Sequence, residues 1–266
     1  MKITVITVCF NVAGVIEDTI KSVIAQTHHD VEYIIIDGGS MDGTVDIIRK
    51  YQREIDLFIS EPDNGIYCAM NKGIAKSTGD YSLFMNAGDC FMNRNVLIEA
   101  VPFLTGEAVI SGNEIDLRNG KIEDYSPSPA YLDFKFYCNS CLRHQATFIR
   151  TDLLKENLYD ESLKIASDWK FWFEQLYIHH QSYKKMDVDI CLFSRDGIST
   201  SDKTGLAMQE REKVILDYLG EKGLSRFHSF KRRNIFQHIL YRINSRLSRE
   251  WRLWKYRHHF RNIEHF

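Results

Sequence analysis

Apolar positions in the first hundred residues switch between two periods. Lys2–Cys9 is a short apolar, β-branched run that reads as a buried strand. Val15, Ile16, Ile20, Val23 and Ile24 then fall on one face of a helix. Glu32–Asp37 predicts a second strand, Thr44–Tyr51 a helix and Asp56–Ser60 a third, short strand. Ile66–Lys76 predicts a helix and Tyr81–Asn86 a fourth strand. Strand–helix repetition with short connections implies an α/β fold: a mainly parallel, Rossmann-like sheet flanked by helices.

Beyond residue 105 the pattern changes. Val109–Leu117 and Lys121–Tyr125 flank Asn119-Gly120, a type I′ hairpin signal. Ser126–Pro129 breaks the chain and is expected to begin a loop over the site. Gln145–Arg150 is a strand candidate, Ser167–Tyr177 an aromatic-rich helix, Asp187–Phe193 a strand and 203–219 a helix. The expected division is 1–105, then 106–220 as a second half of the same domain, and 221–266, a basic amphipathic helical tail.

Composition changes this picture in two places. The net charge of -2 excludes a uniformly basic nucleic-acid binder, so no nucleic acid is expected as partner. It conceals an asymmetry, because Arg226–Phe266 carries eleven Lys/Arg against two acids. Within that tail Ile235, Ile239, Ile243 and Leu247 recur every four residues, followed by Trp251 and Trp254. Basic amphipathic helices with tryptophan suit an anionic membrane surface, or equally a helix packed on its own domain or in a homodimer. No apolar run reaches the ~18 residues of a membrane span, and no signal-peptide pattern precedes the first strand. The expectation is a cytoplasmic protein, peripheral on the inner face of the membrane at most. Cys138 and Cys141, with His144 beyond, form a lone CxxC, whereas a structural zinc site needs four ligands; reduced structural thiols are the plainer reading.

The chemistry collects at the strand ends, where open α/β sheets bind ligands. Thr7–Asn11 follows strand one, Asp37-Gly38-Gly39-Ser40-Met41-Asp42-Gly43-Thr44 strand two, Glu61–Gly65 strand three and Asn86–Asp89 strand four. A G-x-G-x-x-G fingerprint is absent after strand one, and there is no phosphate-loop motif. Acidic groups around a diphosphate repel it unless a divalent cation intervenes, so the arrangement calls for Mg²⁺ or Mn²⁺.

These segments, taken with HQATFIR and SDWKFW, resemble in order and spacing the family 2 glycosyltransferases of the GT-A fold over residues 1–200. The likeness is greatest to bacterial enzymes of capsule, O-antigen, colanic-acid-type and exopolysaccharide assembly. The resemblance implies an inverting hexosyl or N-acetylhexosaminyl transferase. Its donor would be a nucleotide-diphosphate sugar, with UDP favoured, and its acceptor a glycan or lipid-linked oligosaccharide. Asp37 corresponds to the family aspartate that holds the base; its bland alternative is a turn or cap aspartate. Asp42 reads as capping. The donor would further meet Thr7, Phe10, Asp63 and Asn64, then Asn71 and Lys72, where Lys72 faces either a phosphate or water. Asn86, Ala87, Gly88 and Asp89 occupy the family's DxD position, but only Asp89 keeps a carboxylate. Asp89 and His144 would hold the metal. Asp168, opening the aromatic helix, matches the catalytic base, with Ser167 free to cap that helix. Tyr67 and Met70 read as packing, and Trp169 and Trp172 as core or acceptor platform. Asp196–Thr200 falls where the family has a segment over the donor phosphates. A nucleotidyltransferase and a non-catalytic sugar-nucleotide or glycan-binding module remain as rivals.

Overall fold

The computed structural model describes residues 1–118, 121–194 and 204–231. The Asn119-Gly120 turn, the Asp196–Thr200 segment and the amphipathic tail from residue 232 lie outside the described residues. The elements run in the order β1 (Ile3–Cys9), α1 (Ile16–Ile24), β2 (Val31–Asp37), α2 (Thr44–Lys50), β3 (Leu57–Ser60), α3 (Ile66–Lys76) and β4 (Tyr81–Phe84). There follow β5 (Cys90–Phe91), α4 (Val96–Ala100), β6 (Val109–Arg118), β7 (Lys121–Ser126), α5 (Phe134–Asn139), β8 (Thr147–Arg150), α6 (Thr151–Glu156), α7 (Ser167–Trp172) and β9 (Tyr183–Ser194). Residues 206–231 are helical (α8), with Gly220 in the left-handed region at φ 62°.

The sheet order is β3-β2-β1-β4-β8-β6-β9-β5, with β7 paired to β6. β3, β2, β1 and β4 are parallel. β8 then runs antiparallel to β4, and β6 antiparallel to β8. The register aligns Cys9, Asp37 and Ser60 side by side, so the loops after β1, β2 and β3 start from one line.

β1 is buried along its whole length, which is why it reads as continuously apolar rather than alternating. On one face Ile6, Val8, Ile34, Ile36 and Phe84 pack with Tyr67, Met70 and Ile74 of α3 and with Trp169, Trp172 and Phe173. On the other, Ile3, Val5, Tyr33 and Ile35 pack with Ile16, Ile20 and Val23 of α1 and Ile48 of α2. Gly73 lets α3 lie close, since a Cβ there would come within 2.6 Å of Ile6 Cγ2. Both tryptophans of α7 are fully buried, and Trp169 Nε1 donates to Tyr137 O at 3.0 Å. They belong to the core and offer no platform to an acceptor. Among the described residues no helix is long and apolar enough to cross a membrane.

Candidate active site

The loop after β2 is organised around Asp37. One carboxylate oxygen accepts the Gly39 and Ser40 N–H groups at 3.1 and 2.9 Å and the Ser60 hydroxyl at 2.7 Å. The other accepts the Ser40 hydroxyl at 2.5 Å and faces the Cys9 thiol at 3.5 Å. Burial alone would raise this carboxyl. The hydrogen bonds from Ser40 and Ser60 outweigh it and hold Asp37 below its usual range. Asp37 is 0% exposed. Its oxygens are met by the loop after β2, by Ser60 at the end of β3 and by Cys9 at the end of β1. The partly exposed carboxylate at this rim is Asp63, whose Oδ2 lies 3.0 Å from where a Cβ of Gly38 would stand. The glycine leaves the space that the aspartate side chain occupies.

Asp42 does what its capping chemistry suggests. Oδ1 accepts Thr44 N–H and its hydroxyl at 3.0 and 2.6 Å, and Oδ2 accepts Ala13 N–H at 3.0 Å. Asn11, in the left-handed region at φ 51°, ties the loop after β1 to the loop after β2 by accepting Met41 N–H at 3.0 Å. Phe10 (59%) and Met41 (91%) stand exposed at this mouth, apolar surface that a flat ring would cover. Asn64 is exposed as well.

Three other donor-contact expectations meet side chains already engaged. Thr7 is fully buried; its hydroxyl donates to Met85 O at 2.7 Å and lies 3.1 Å from Tyr33 Oη. Asn71 donates to Tyr159 O and Glu161 Oε1 at 2.8 and 2.9 Å, and accepts Tyr159 N–H at 2.9 Å. It staples α3 to the chain before α7. Lys72 pairs with Glu61 at 2.7 Å.

The Asn86–Asp89 turn closes through Asp89 N–H to Asn86 O at 2.9 Å. Gly88, where an acid would complete the family pattern, has φ 102°, a conformation that L side chains adopt only with strain. Its N–H donates to Thr19 Oγ1 of α1 at 2.9 Å. Ala87 is half-buried and Asp89 buried.

From this turn a polar chain crosses the cleft. Asn86 Nδ2 lies 3.0 Å from His144 Nε2. The other ring nitrogen, Nδ1, faces Asp168 Oδ2 at 3.4 Å. Both ring nitrogens of His144 thus have neighbours within the protein. Asp168 Oδ1 accepts Trp169 N–H at 2.7 Å and lies 3.3 Å from Tyr67 Oη. The Asp168 side chain keeps 18% of its surface exposed. Burial pushes its carboxyl up, but the His144 hydrogen bond and charge, the Trp169 N–H and the Arg211 charge hold it below the usual range. It is an ionised, oriented carboxylate at the cleft.

Ser167 does not cap α7: its Oγ is buried without a hydrogen-bond partner. The amide ahead of the helix, on Ala166, is taken instead by Glu210 of α8 at 2.8 Å. Cys138 and Cys141 agree with the reading of reduced thiols. All six cysteines are free, and among the described residues no group of three or more His, Cys, Asp or Glu could hold a metal by itself. What an oxygen-seeking cation would find is the Asp89 carboxylate and, on the same turn, Asn86 Oδ1, a buried oxygen without a hydrogen-bond partner. That donor chemistry fits Mg²⁺ or Mn²⁺, which take oxygen ligands and keep several waters.

Sequence reasoning gave Arg143 and Glu114 no role. Glu114, fully buried on β6, pairs with Arg143 Nε at 3.2 Å. Burial pushes its carboxyl up, against the pull of Arg143 and with Asp116 beside it. Tyr67, read as packing, is buried and also reaches the site through its hydroxyl. The available cue was a phenol on an apolar helix face, which needs a partner when buried.

Two cavities complete the description. One of about 400 Å³ is lined by Ser126, Ser128, Phe136, Ser140, Cys141 and Arg143, among others. One of its lining residues, Cys141, has its Sγ 3.9 Å from Asp168 Oδ2. The larger, about 720 Å³, lies at the opposite strand ends among Met1, Gly79, Tyr81, Arg150 and Asp152, and includes none of the candidate residues.

This architecture is the GT-A fold of nucleotide-sugar transferases. The chain belongs to glycosyl transferase family 2, whose model matches residues 4–176. An uncharacterized glycosyltransferase of Mycobacterium tuberculosis is 35% identical over 174 residues, 64% of this chain and 66% of the relative. A PGL/p-HBAD biosynthesis glycosyltransferase of Mycobacterium bovis is 32% identical over 171 residues, 60% of this chain and 64% of the relative. The aligned part thus spans just under two thirds of both relatives' length. Among solved structures, residues 1–349 of S. aureus TarS in complex with UDP-GlcNAc superpose with a TM-score of 0.67 at 21% identity, covering 86% of this chain and 72% of that one. The mannosyltransferase PcManGT from Pyrobaculum calidifontis, in complex with GDP-Man and Mn²⁺, gives 0.56 at 15% identity, covering 95% and 82%. At these identities the likeness is one of fold.

Proposed function

We propose that this chain is an inverting glycosyltransferase that moves a hexose or N-acetylhexosamine from a UDP-sugar to a glycan or lipid-linked glycan hydroxyl. The observation that carries the reading is Asp168, ionised and oriented at the cleft by His144, which in turn is bonded to Asn86 of the turn after β4. One hydrogen-bonded chain connects the donor side to the base side.

Inversion is a single in-line displacement. The acceptor oxygen forms its bond to the anomeric carbon as the bond from that carbon to the diphosphate oxygen breaks. The acceptor proton passes to Asp168, which acts as general base. Asp89 and Asn86 Oδ1 would hold a divalent cation, which supplies charge neutralisation to the leaving diphosphate. Phe10 and Met41 offer apolar cover to the base, with Asp63 as the accessible carboxylate beside them. The 400 Å³ cavity beside Asp168 falls within the range of ligand sites. Its half-buried Phe136 and its serines suit one face and the hydroxyls of an acceptor sugar. Synthesis of a surface polysaccharide is the setting this chemistry fits.

Asp168→Asn tests the reading. It should lower transfer by ~10²–10⁴ with UDP affinity, measured by calorimetry with and without Mn²⁺, within twofold of wild type. Transfer near the wild-type rate removes Asp168 from the mechanism.

A further inference from the structure

α8 lies wholly beyond residues 4–176, the part of the chain that the family model matches. It nevertheless grips the stretch that presents Asp168. Glu210, 8% exposed, accepts three consecutive backbone N–H groups. Lys164 N–H meets Oε1 at 2.7 Å, while Ile165 and Ala166 N–H meet Oε2 at 3.0 and 2.8 Å. Successive amides turned toward one point form a concavity that receives an anion, and here the chain supplies the anion itself. Bonds to an ionised acceptor are roughly twice as strong as neutral ones.

The same peptide run is held from the other side. Tyr67 Oη of α3 donates to Ile165 O at 2.7 Å, so both backbone polar groups of Ile165 are pinned by different helices. The residue after Glu210 reaches past the base: the Arg211 guanidinium lies 5.1 Å over the Trp169 ring, and its charge favours the ionised form of Asp168. α7 begins without a side-chain cap of its own.

We propose that Glu210 is a positioning residue for Asp168, with Arg211 as its companion, so that a helix outside the residues matched by the family model completes the active site. The inference rests on Asp168 being the base. Misplacing a catalytic group by ~1 Å can cost ~10²-fold in rate, so the clamp should appear in turnover and not in donor affinity.

The test uses the full chain with Glu210→Ala, Glu210→Gln and Arg211→Met. Gln keeps the shape and one acceptor oxygen, so it separates loss of the clamp from loss of bulk if Ala does not fold. Three readouts are needed: amide hydrogen exchange of peptides covering 164–172, the titration of Asp168 Cγ by NMR, and UDP release from UDP-GlcNAc with Mn²⁺ and water as acceptor. Loosened exchange confined to 164–172, an Asp168 titration moved up toward the ordinary aspartate range, and a ~10–100-fold lower kcat with UDP affinity within twofold support the proposal. The loss should rank Ala above Gln and Gln above Arg211→Met. A wild type that neither binds UDP nor hydrolyses UDP-GlcNAc overturns the donor assignment alone, and the exchange and titration then decide the clamp. Unchanged Asp168 titration in the Gln and Ala variants, or wild-type turnover despite loosened exchange, overturns the proposal.

Discussion

At the donor rim the polar groups are met by their own loops and by neighbouring elements, all within the first sixty residues. Asp37 is met by Ser40 three residues on, and Asp42 by Thr44 two residues on. On the base side the partners come from far along the chain. Asp168 is met by His144 at a separation of 24 residues and Tyr67 at 101, while Glu210 reaches Ala166 across 44. The rim is preorganised within the β1–β3 part of the fold, whereas Asp168 is held by an assembly that exists only once the second half of the fold has closed on the first. Damage to the rim should therefore appear mainly as lost stability, and damage to the base side as lost turnover.

The sharpest break of that comparison is His144→Ala. It removes the link between Asn86 and Asp168, and kcat should fall by ~10²-fold with UDP affinity near wild type; a pure loss of donor affinity would place His144 at the rim instead. Next is Asp37→Ala, which strands the Gly39 and Ser40 amides and the two serine hydroxyls. It should destabilise the fold by about 1–3 kcal/mol in denaturant unfolding, with catalysis by the remaining folded enzyme largely kept. Gly73→Ala should cost a comparable ~1–3 kcal/mol by overpacking against Ile6, with no effect on the Asp168 titration.

The smallest effect concerns Glu32, remote from both regions. Its carboxylate is held at about 2: burial raises it, but Thr78, Thr4 and Lys2 bond to the charged form and prevail. Because the folded value lies below the unfolded one, its contribution is full above the ordinary glutamate range and fades as pH falls toward about 2. Glu32→Gln should flatten the stability profile in that window, as read by urea midpoints at several pH values, and leave it unchanged at pH 7–8 apart from an offset.

The legibility of the sequence follows the same division. The parallel β1–β4 half was readable because each element carries its own period and each loop its own turn chemistry; α3 falls where Ile66–Lys76 predicts it. β5 and α4–α6 were not anticipated, being two to six residues long with no period to detect. Asp168 and His144 were found through resemblance, and their mutual contact was not readable. Asp37, Thr7 and Asn71 were assigned to the donor through the same resemblance. Their burial in the sheet and between helices is a tertiary fact, invisible in a local window. Glu210 carried no local signal, because what it caps lies 44 residues upstream.

The left-handed backbone at Gly88 has a bearing on engineering. Restoring the acid that the family pattern places there is a one-codon idea with a conformational obstacle, since an L residue in that region costs roughly 1–2 kcal/mol before any new ligand is gained. A designer seeking tighter cation affinity would do better at position 86, where the backbone is not left-handed. A carboxylate there would replace the amide that touches His144. Affinity for the ion and orientation of the base would then be traded through a single side chain.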